Sequence, residues 1–222
     1  LGITLIKAGR TGCCGAVAYH LNAQSDGLDY MRHNIDAWWP WVQQNNVEAI
    51  VVNASGCGVT VKEYGHLLQH DPAYALKAKT ISEISRDISE IVYLELEKLK
   101  EKFATQSLPD HQKMKLAFHS PCTLQHGMRI RGVVEEIMCA AGFDLSYVPD
   151  AHLCCGSAGT YSILQPQLSQ KLLSNKVTAL ESGQPEQIAT ANIGCLMHLR
   201  NQTARPVKHW IELLDERLSL CN

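Results

Sequence analysis

The chain has 222 residues, 45% of them hydrophobic, enough to bury a sizeable core as one domain or two. Its formal charge of −2 gives no electrostatic reason to expect nucleic acid or an anionic membrane surface as a partner. No apolar run approaches the roughly 20 residues that span a bilayer, and residues 1–7 are too short and badly flanked for a secretory signal.

In chain order, residues 3–7 read as a short strand that runs into Gly12-Cys13-Cys14-Gly15. A helix is predicted over about 26–39, then a strand over 48–53 leading to Ala54-Ser55-Gly56-Cys57. The spacing of Ile84, Ile88, Ile91, Val92 and Leu99 predicts one long helix over about 82–103. The polar stretch 104–111 divides this half from the next. Residues 114–119 then form a strand ending at Ser120-Pro121-Cys122. A helix follows, with Val133, Val134, Ile137, Met138 and Ala141 on one face and Gly142 as its stop. A strand over 144–148 leads into Cys154-Cys155-Gly156. The next helix starts near Pro166 and stops near Gly183, with Leu168, Leu172, Leu173, Val177 and Leu180 as its buried stripe. A strand over 187–192 runs toward Cys195. An amphipathic helix over 207–218 closes the chain, with Trp210, Ile211, Leu213, Leu214 and Leu218 apolar.

Two copies of Cys-Cys-Gly organise this pattern. Cys14 to Cys57 is 43 positions and Cys155 to Cys195 is 40, with glycine before each later cysteine. Asn34 and Asn175 each lie 20 positions after the second cysteine of their pair. The alternation predicts an α/β fold of two pseudo-repeated, Rossmann-like parallel-sheet subdomains with helices on both faces. Their expected bounds are 1–107, including connecting helices, and 108–222. Each repeated cysteine then lies just beyond the carboxyl end of a strand, where open α/β sheets place ligands. Cys122 precedes Cys154 by 32 positions, and its counterpart before Cys13 would fall off the chain. With no initiator Met, an amino-terminal truncation of the first subdomain is expected.

Nine cysteines, an odd number with adjacent pairs, suit thiolate ligation better than a secreted disulfide framework, so a cytoplasmic protein with reduced thiols is expected. Adjacent cysteines in an extended segment point to opposite faces. Both reach one centre only where the backbone turns, which Gly15 and Gly156 permit. Gly12, Gly56, Gly58, Gly159 and Gly194 crowd the same loops and leave N–H groups free to bond sulfur. Cys122, Cys154, Cys155 and Cys195 are the candidate ligands of the second half: four thiolates, enough for a [4Fe–4S] cluster or a closed zinc site. The first half supplies Cys13, Cys14 and Cys57. Cys139 and Cys221 have no counterparts and are read as structural or incidental.

His198 stands three positions after Cys195, a spacing that could ligate, although Thr60 fills the matching place after Cys57. His20, His119 and His126 are candidates for hydrogen bonding around the loops. Trp38-Trp39-Pro40-Trp41 reads as core packing with an exposed edge, a docking surface being the alternative. The run of Glu and Lys over 95–102 reads as a solvated helix face. Serine-hydrolase, P-loop and dinucleotide fingerprints are absent, so no flavin site is expected.

Six segments carry a resemblance: 12–17 with 19–24, Asn34-Ile35-Asp36-Ala37-Trp38-Trp39-Pro40, Ala54-Ser55-Gly56-Cys57-Gly58, Pro121-Cys122-Thr123-Leu124-Gln125-His126, 152–161, and Ala191-Asn192-Ile193-Gly194-Cys195. They resemble the cysteine-rich (CCG) domain family, which includes the cysteine-rich component of heterodisulfide reductases, and within it the iron–sulfur subunits of bacterial glycolate oxidases (glycolate dehydrogenases). The resemblance implies a subunit that passes electrons from a flavin-containing partner, where glycolate becomes glyoxylate, toward a quinone-type acceptor. Such a subunit is cytoplasmic, peripheral to the inner membrane through its complex, and not catalytic alone. The resemblance also implies that the full-length relative carries an amino-terminal ferredoxin-like region. Separately, aerobically purified material is expected to lose its iron, leaving free thiols, a disulfide or adventitious zinc. The heterodisulfide reductase members end each motif with Cys-x-x-Cys. His198 and Thr60 stand in those places here, which argues against their noncubane cluster. Lactate utilisation, heterodisulfide-reductase-like chemistry and a zinc-stabilised interaction module are the alternative readings.

Overall fold

The computed structural model describes residues 2–44, 47–104 and 113–219. Cys221 and nearly all of the polar divide at 104–111 lie outside them. The chain forms two compact units, one over Gly2–Ile88 and one beginning at Ser89.

In the first unit, α1 (Ala16–His20) and α2 (Gln24–Gln43) follow the first Cys-Cys-Gly turn. β1 (Ile50–Val52) leads into α3 (Ser55–Leu67) and α4 (Ala75–Ile84), and β2 (Ser85–Asp87) pairs with β1 in parallel. The core gathers Met31 and Ile35 of α2, Val61, Tyr64 and Leu68 from α3 and its end, and Ala78 and Ile81 of α4, with Cys14 among them. Trp38 stacks on Tyr64 with ring centroids 6.4 Å apart, while Trp41 is exposed, so the tryptophan run is core packing with an open edge.

Two expectations are corrected here. Residues 3–7 form no strand, and Ile3, Leu5 and Ile6 are exposed; no described strand lies beside them to take their backbone groups. The long helix expected over 82–103 is instead the end of α4, then β2, then α5 (Ile88–Leu94) and α6 (Leu96–Ala104). Three residues are too few to show a period of two. The 3.6-residue spacing of their neighbours runs through them and hides the strand.

The second unit begins with α5 and α6, and α6 packs on α7 (Val133–Ala140). Its sheet is wholly parallel and runs β4 (Asp144–Leu145), β3 (Lys115–His119), β5 (Gln187–Thr190), β6 (Val207–His209). Helix α7 joins β3 to β4. The short α8 (Tyr161–Leu164) and α9 (Pro166–Glu181) carry the chain back across to β5, and α10 (Ile193–Arg200) leads to β6 and α11 (Trp210–Ser219). α7 packs with α11 and α9 with α10, which gives the sheet its two helical layers. Right-handed crossovers demand this arrangement once the strand order reverses at β3. The strand–helix pattern is thus an α/β fold with parallel sheets flanked by helices.

Some local expectations shift. The strand expected over 144–148 is only two residues long, although Ser146 N–H still donates to Leu116 O at 2.9 Å. The expected helix over 207–218 begins with β6, whose Ile188↔Val207 register extends the sheet. Leu168 is exposed and Leu172 half-buried; the buried stripe of α9 is Ser169, Leu173, Lys176, Val177 and Leu180.

Candidate metal centre

The strand order makes the gap between β3 and β5 the topological switch point of the second sheet, the place where such folds bind ligands. Cys122 follows β3, and Cys195 is the third residue of α10, just after β5. Cys154 and Cys155 arrive from the loop between β4 and α8. The four thiols meet in one file: Cys122 against Cys154, Cys154 against Cys155, and Cys155 against Cys195. The sulfurs of Cys155 and Cys195 and a ring nitrogen of His119, the last residue of β3, lie within 4.8 Å of one another.

Backbone conformation brings the adjacent pair to one side. Gly156 sits at φ +90°, and a Cβ there would come 2.6 Å from the Ser169 carbonyl oxygen. That turn aims the Gly156 N–H at Cys154 Sγ, 3.2 Å away. Asn192 Nδ2 donates to Cys195 Sγ at 3.7 Å. Cys195 also lies in the first turn of a helix, where free N–H groups favour a thiolate.

Charge is divided unevenly in this pocket. Hydrogen bonds from Cys122 and Cys155 draw the Cys154 thiol down to about 2, against the effect of burial. Cys155 and then His119 hold Cys195 well below the ordinary thiol range. In return Cys122 is pushed up by Cys154, and Cys155 by Cys154 and Cys195, with burial adding to both. Each thiolate in the file is held by a neighbouring thiol, and packing several negative sulfurs together in a partly buried pocket calls for a positive centre among them. Four convergent, partly buried sulfurs fit a soft or borderline cation or an iron–sulfur cluster.

The cysteine loop is held from three sides. Gln125, in the π-helical turn Thr123–Gly127 after Cys122, donates from Nε2 to Ser120 O at 2.8 Å and Ala151 O at 3.4 Å. His126 Nε2 approaches His152 O at 3.3 Å. Lys176 of α9 sends Nζ to Asp150 O at 3.0 Å and Ala151 O at 3.3 Å, and burial lowers its pKa. The sequence alone marks neither Gln125 nor Lys176 for this role. Lys176 does stand 21 positions after Cys155, one beyond Asn175, which is exposed.

The first unit repeats the design with three thiols. Cys57 is the third residue of α3, as Cys195 is of α10. Cys14 is buried against Cys57 and Cys13, and Cys57 draws it down to about 6, while Cys14 pushes Cys57 far up. Gly15, at φ +86°, turns the pair. Asn34 locks the loop: Nδ2 donates to Cys13 O at 2.8 Å, and Oδ1 accepts from Gly12 N–H at 2.8 Å. The Tyr64 hydroxyl donates to Cys14 O at 2.9 Å.

The remaining sequence candidates divide. His198 is buried, with Nε2 3.1 Å from Ser169 Oγ, away from a ligand role. Thr60 turns its hydroxyl to Gly56 O at 3.4 Å. Cys139 is an exposed thiol on α7, and His20 is exposed beside Tyr19.

The sequence matches the cysteine-rich (CCG) domain over residues 1–62 and 116–200, the two stretches that carry these thiols. It is 50% identical, over 98% of its length, to a protein of Escherichia coli (strain K12) named glycolate oxidase iron-sulfur subunit. It is 29% identical over 90% of its length to the probable glycolate oxidase iron-sulfur subunit of Bacillus subtilis (strain 168). A lactate utilization protein A from Bacillus velezensis is 28% identical over 92% of the chain and 83% of that protein. The chain spans about half the length of the glycolate oxidase relatives, 51% and 43%. With matched segments covering well over half of its residues, the chain belongs to the cysteine-rich (CCG) domain family.

Proposed function

We propose that this chain is the cluster-bearing part of an iron–sulfur subunit in a glycolate-oxidising complex, relaying electrons from a flavin-containing subunit toward a quinone-type acceptor. The convergence of Cys122, Cys154, Cys155 and Cys195 at the switch point of the second sheet carries the reading, in a chain 50% identical to a protein named glycolate oxidase iron-sulfur subunit. These four cysteines would hold a [4Fe–4S] cluster, and Cys13, Cys14 and Cys57 form a three-thiol set in the first unit. When bound, such a cluster takes up and releases single electrons.

The chain's own residues supply the setting. Gly156 N–H and the Asn192 amide stabilise negative charge on sulfur. Gln125, His126 and Lys176 fix the loop that presents Cys154 and Cys155. Leu173, Val177, Leu196 and Leu199 keep water from the inner side of the pocket. No helix among the described residues is long and apolar enough to cross a membrane. On this reading, attachment to the inner membrane runs through the partners. Oxidation of glycolate belongs to the flavin-bearing partner, and this chain alone turns nothing over.

A zinc-stabilised interaction module is the second reading, favoured by the close nitrogen–sulfur–sulfur triad of His119, Cys155 and Cys195. Dye reduction by the complex reassembled with its flavin subunits tests the first reading. Glycolate-dependent reduction that disappears with Cys154→Ser is expected. Reduction driven by lactate and not by glycolate would move the chain to the lactate-utilising branch, and activity indifferent to Cys154 would remove the relay role.

A further inference from the structure

We propose that His119 is a positioning residue for the cluster: its ring N–H donates to sulfur at the Cys155–Cys195 end of the site and raises the reduction potential. The inference rests on the iron–sulfur reading above and adds a residue outside the cysteine set. His119 is 1% exposed, and neither of its ring nitrogens makes a hydrogen bond of ordinary geometry among the described residues; its one polar interaction there is with the Cys195 thiol, which it helps to ionise. Leaving such a group unsatisfied in a core costs on the order of 1–3 kcal/mol, so the position demands an acceptor.

Sulfur is the acceptor within reach. A ring nitrogen lies within 4.8 Å of both Cys155 Sγ and Cys195 Sγ, and a cluster would add sulfides with lone pairs of their own. The neighbouring strand supplies the other half of the arrangement. Thr190 pairs in register with His119, so both side chains leave the sheet on the same face. The Thr190 hydroxyl is fully buried and likewise unpartnered. A neutral imidazole that donates from one nitrogen accepts at the other; the Thr190 hydroxyl leaves the sheet on the same face, although it makes no hydrogen bond to the ring in this structure. His198 spends its Nε2 on Ser169 instead.

A donor to sulfur favours the reduced, more negative cluster over the oxidised one. Losing one charge-assisted hydrogen bond shifts the reduction equilibrium by roughly tenfold, which for one electron is about 59 mV.

The test uses the chain reconstituted anaerobically with iron and sulfide. EPR-monitored redox titration should place His119→Leu roughly tenfold lower in reduction equilibrium than wild type. His119→Gln, which keeps an N–H donor, should recover most of the difference, and Thr190→Val should give a smaller shift of the same sign. Pulsed EPR on wild type carrying ¹⁵N-histidine needs no variant, and should show a weak, label-dependent nitrogen coupling. Equal potentials for wild type and His119→Leu at equal iron content, or no histidine coupling, would overturn this role alone. A strong coupling typical of direct iron ligation would replace it with ligation. Wild type that takes up no iron would overturn the iron–sulfur reading and this role with it.

Discussion

His198 Nε2 lies 3.1 Å from the Ser169 hydroxyl, and the same hydroxyl donates to the Gly156 carbonyl at 2.9 Å. A hydroxyl has one hydrogen to give. Since the carbonyl takes it, His198 must donate from Nε2, which fixes its tautomer and ties it to the Cys-Cys-Gly turn. His198→Ala should therefore leave iron content unchanged while lowering stability by about 1–3 kcal/mol. Thermal unfolding should fall by several degrees, at about 2–4 °C per kcal/mol. A loss of one iron per site with unchanged melting would make His198 a ligand instead.

Gly156 and Gly132 both occupy the left-handed region, at φ +90° and +75°, but only Gly156 is crowded. Gly132→Ala should cost about 1–2 kcal/mol for backbone conformation alone. Gly156→Ala meets the Ser169 carbonyl as well and should cost about 1–3 kcal/mol more. Denaturant titration of the two variants, with iron measured alongside, should show Gly156→Ala as both less stable and poorer in metal.

Asn34 and Asn175 share one spacing from their cysteine pairs and have opposite fates. Asn34 is buried with bonds to Gly12, Cys13 and, at 3.2 Å, the Tyr64 hydroxyl. Asn34→Leu should destabilise by about 1–3 kcal/mol, whereas exposed Asn175→Ala should stay within about 0.5 kcal/mol of wild type. Calorimetry of both variants decides this, and equal effects would contradict the structural division.

The repeat is legible in the sequence because its signals are local: Cys-Cys-Gly, a glycine before Cys57 and Cys195, and strands of apolar residues. The strand order is not written in any one segment, yet it is what places Cys122 and Cys195 on either side of the switch point. β2, as Ser85-Arg86-Asp87, and β6, as Val207-Lys208-His209, carry too few residues to show their period, and each leads straight into a helix whose pattern swallows them. The start of α10 at Ile193 is hidden for a related reason. Asn192 reads as the end of a strand, whereas it is the extended residue from which the helix begins and whose amide reaches Cys195. Lys176 looks like an ordinary solvated helix position, since only the tertiary fold reveals the carbonyls of Asp150 and Ala151 that it caps.

Cysteine substitutions separate the site from the background. Cys122→Ser, Cys154→Ser, Cys155→Ser and Cys195→Ser should each reduce iron retention sharply after anaerobic reconstitution. Cys139→Ser, on the exposed side of α7, should retain it fully. Iron-to-protein ratios across the five variants check the assignment, and a Cys139 dependence equal to the others would break it.

Metal and acid-labile sulfide analysis of the anaerobically prepared chain, joined to low-temperature EPR after reduction, bears most directly on the central claim. About four iron and four sulfide bound through the second-unit cysteines, with a paramagnetic signal on reduction, is the predicted result. Stoichiometric zinc with no sulfide and no iron signal would contradict it.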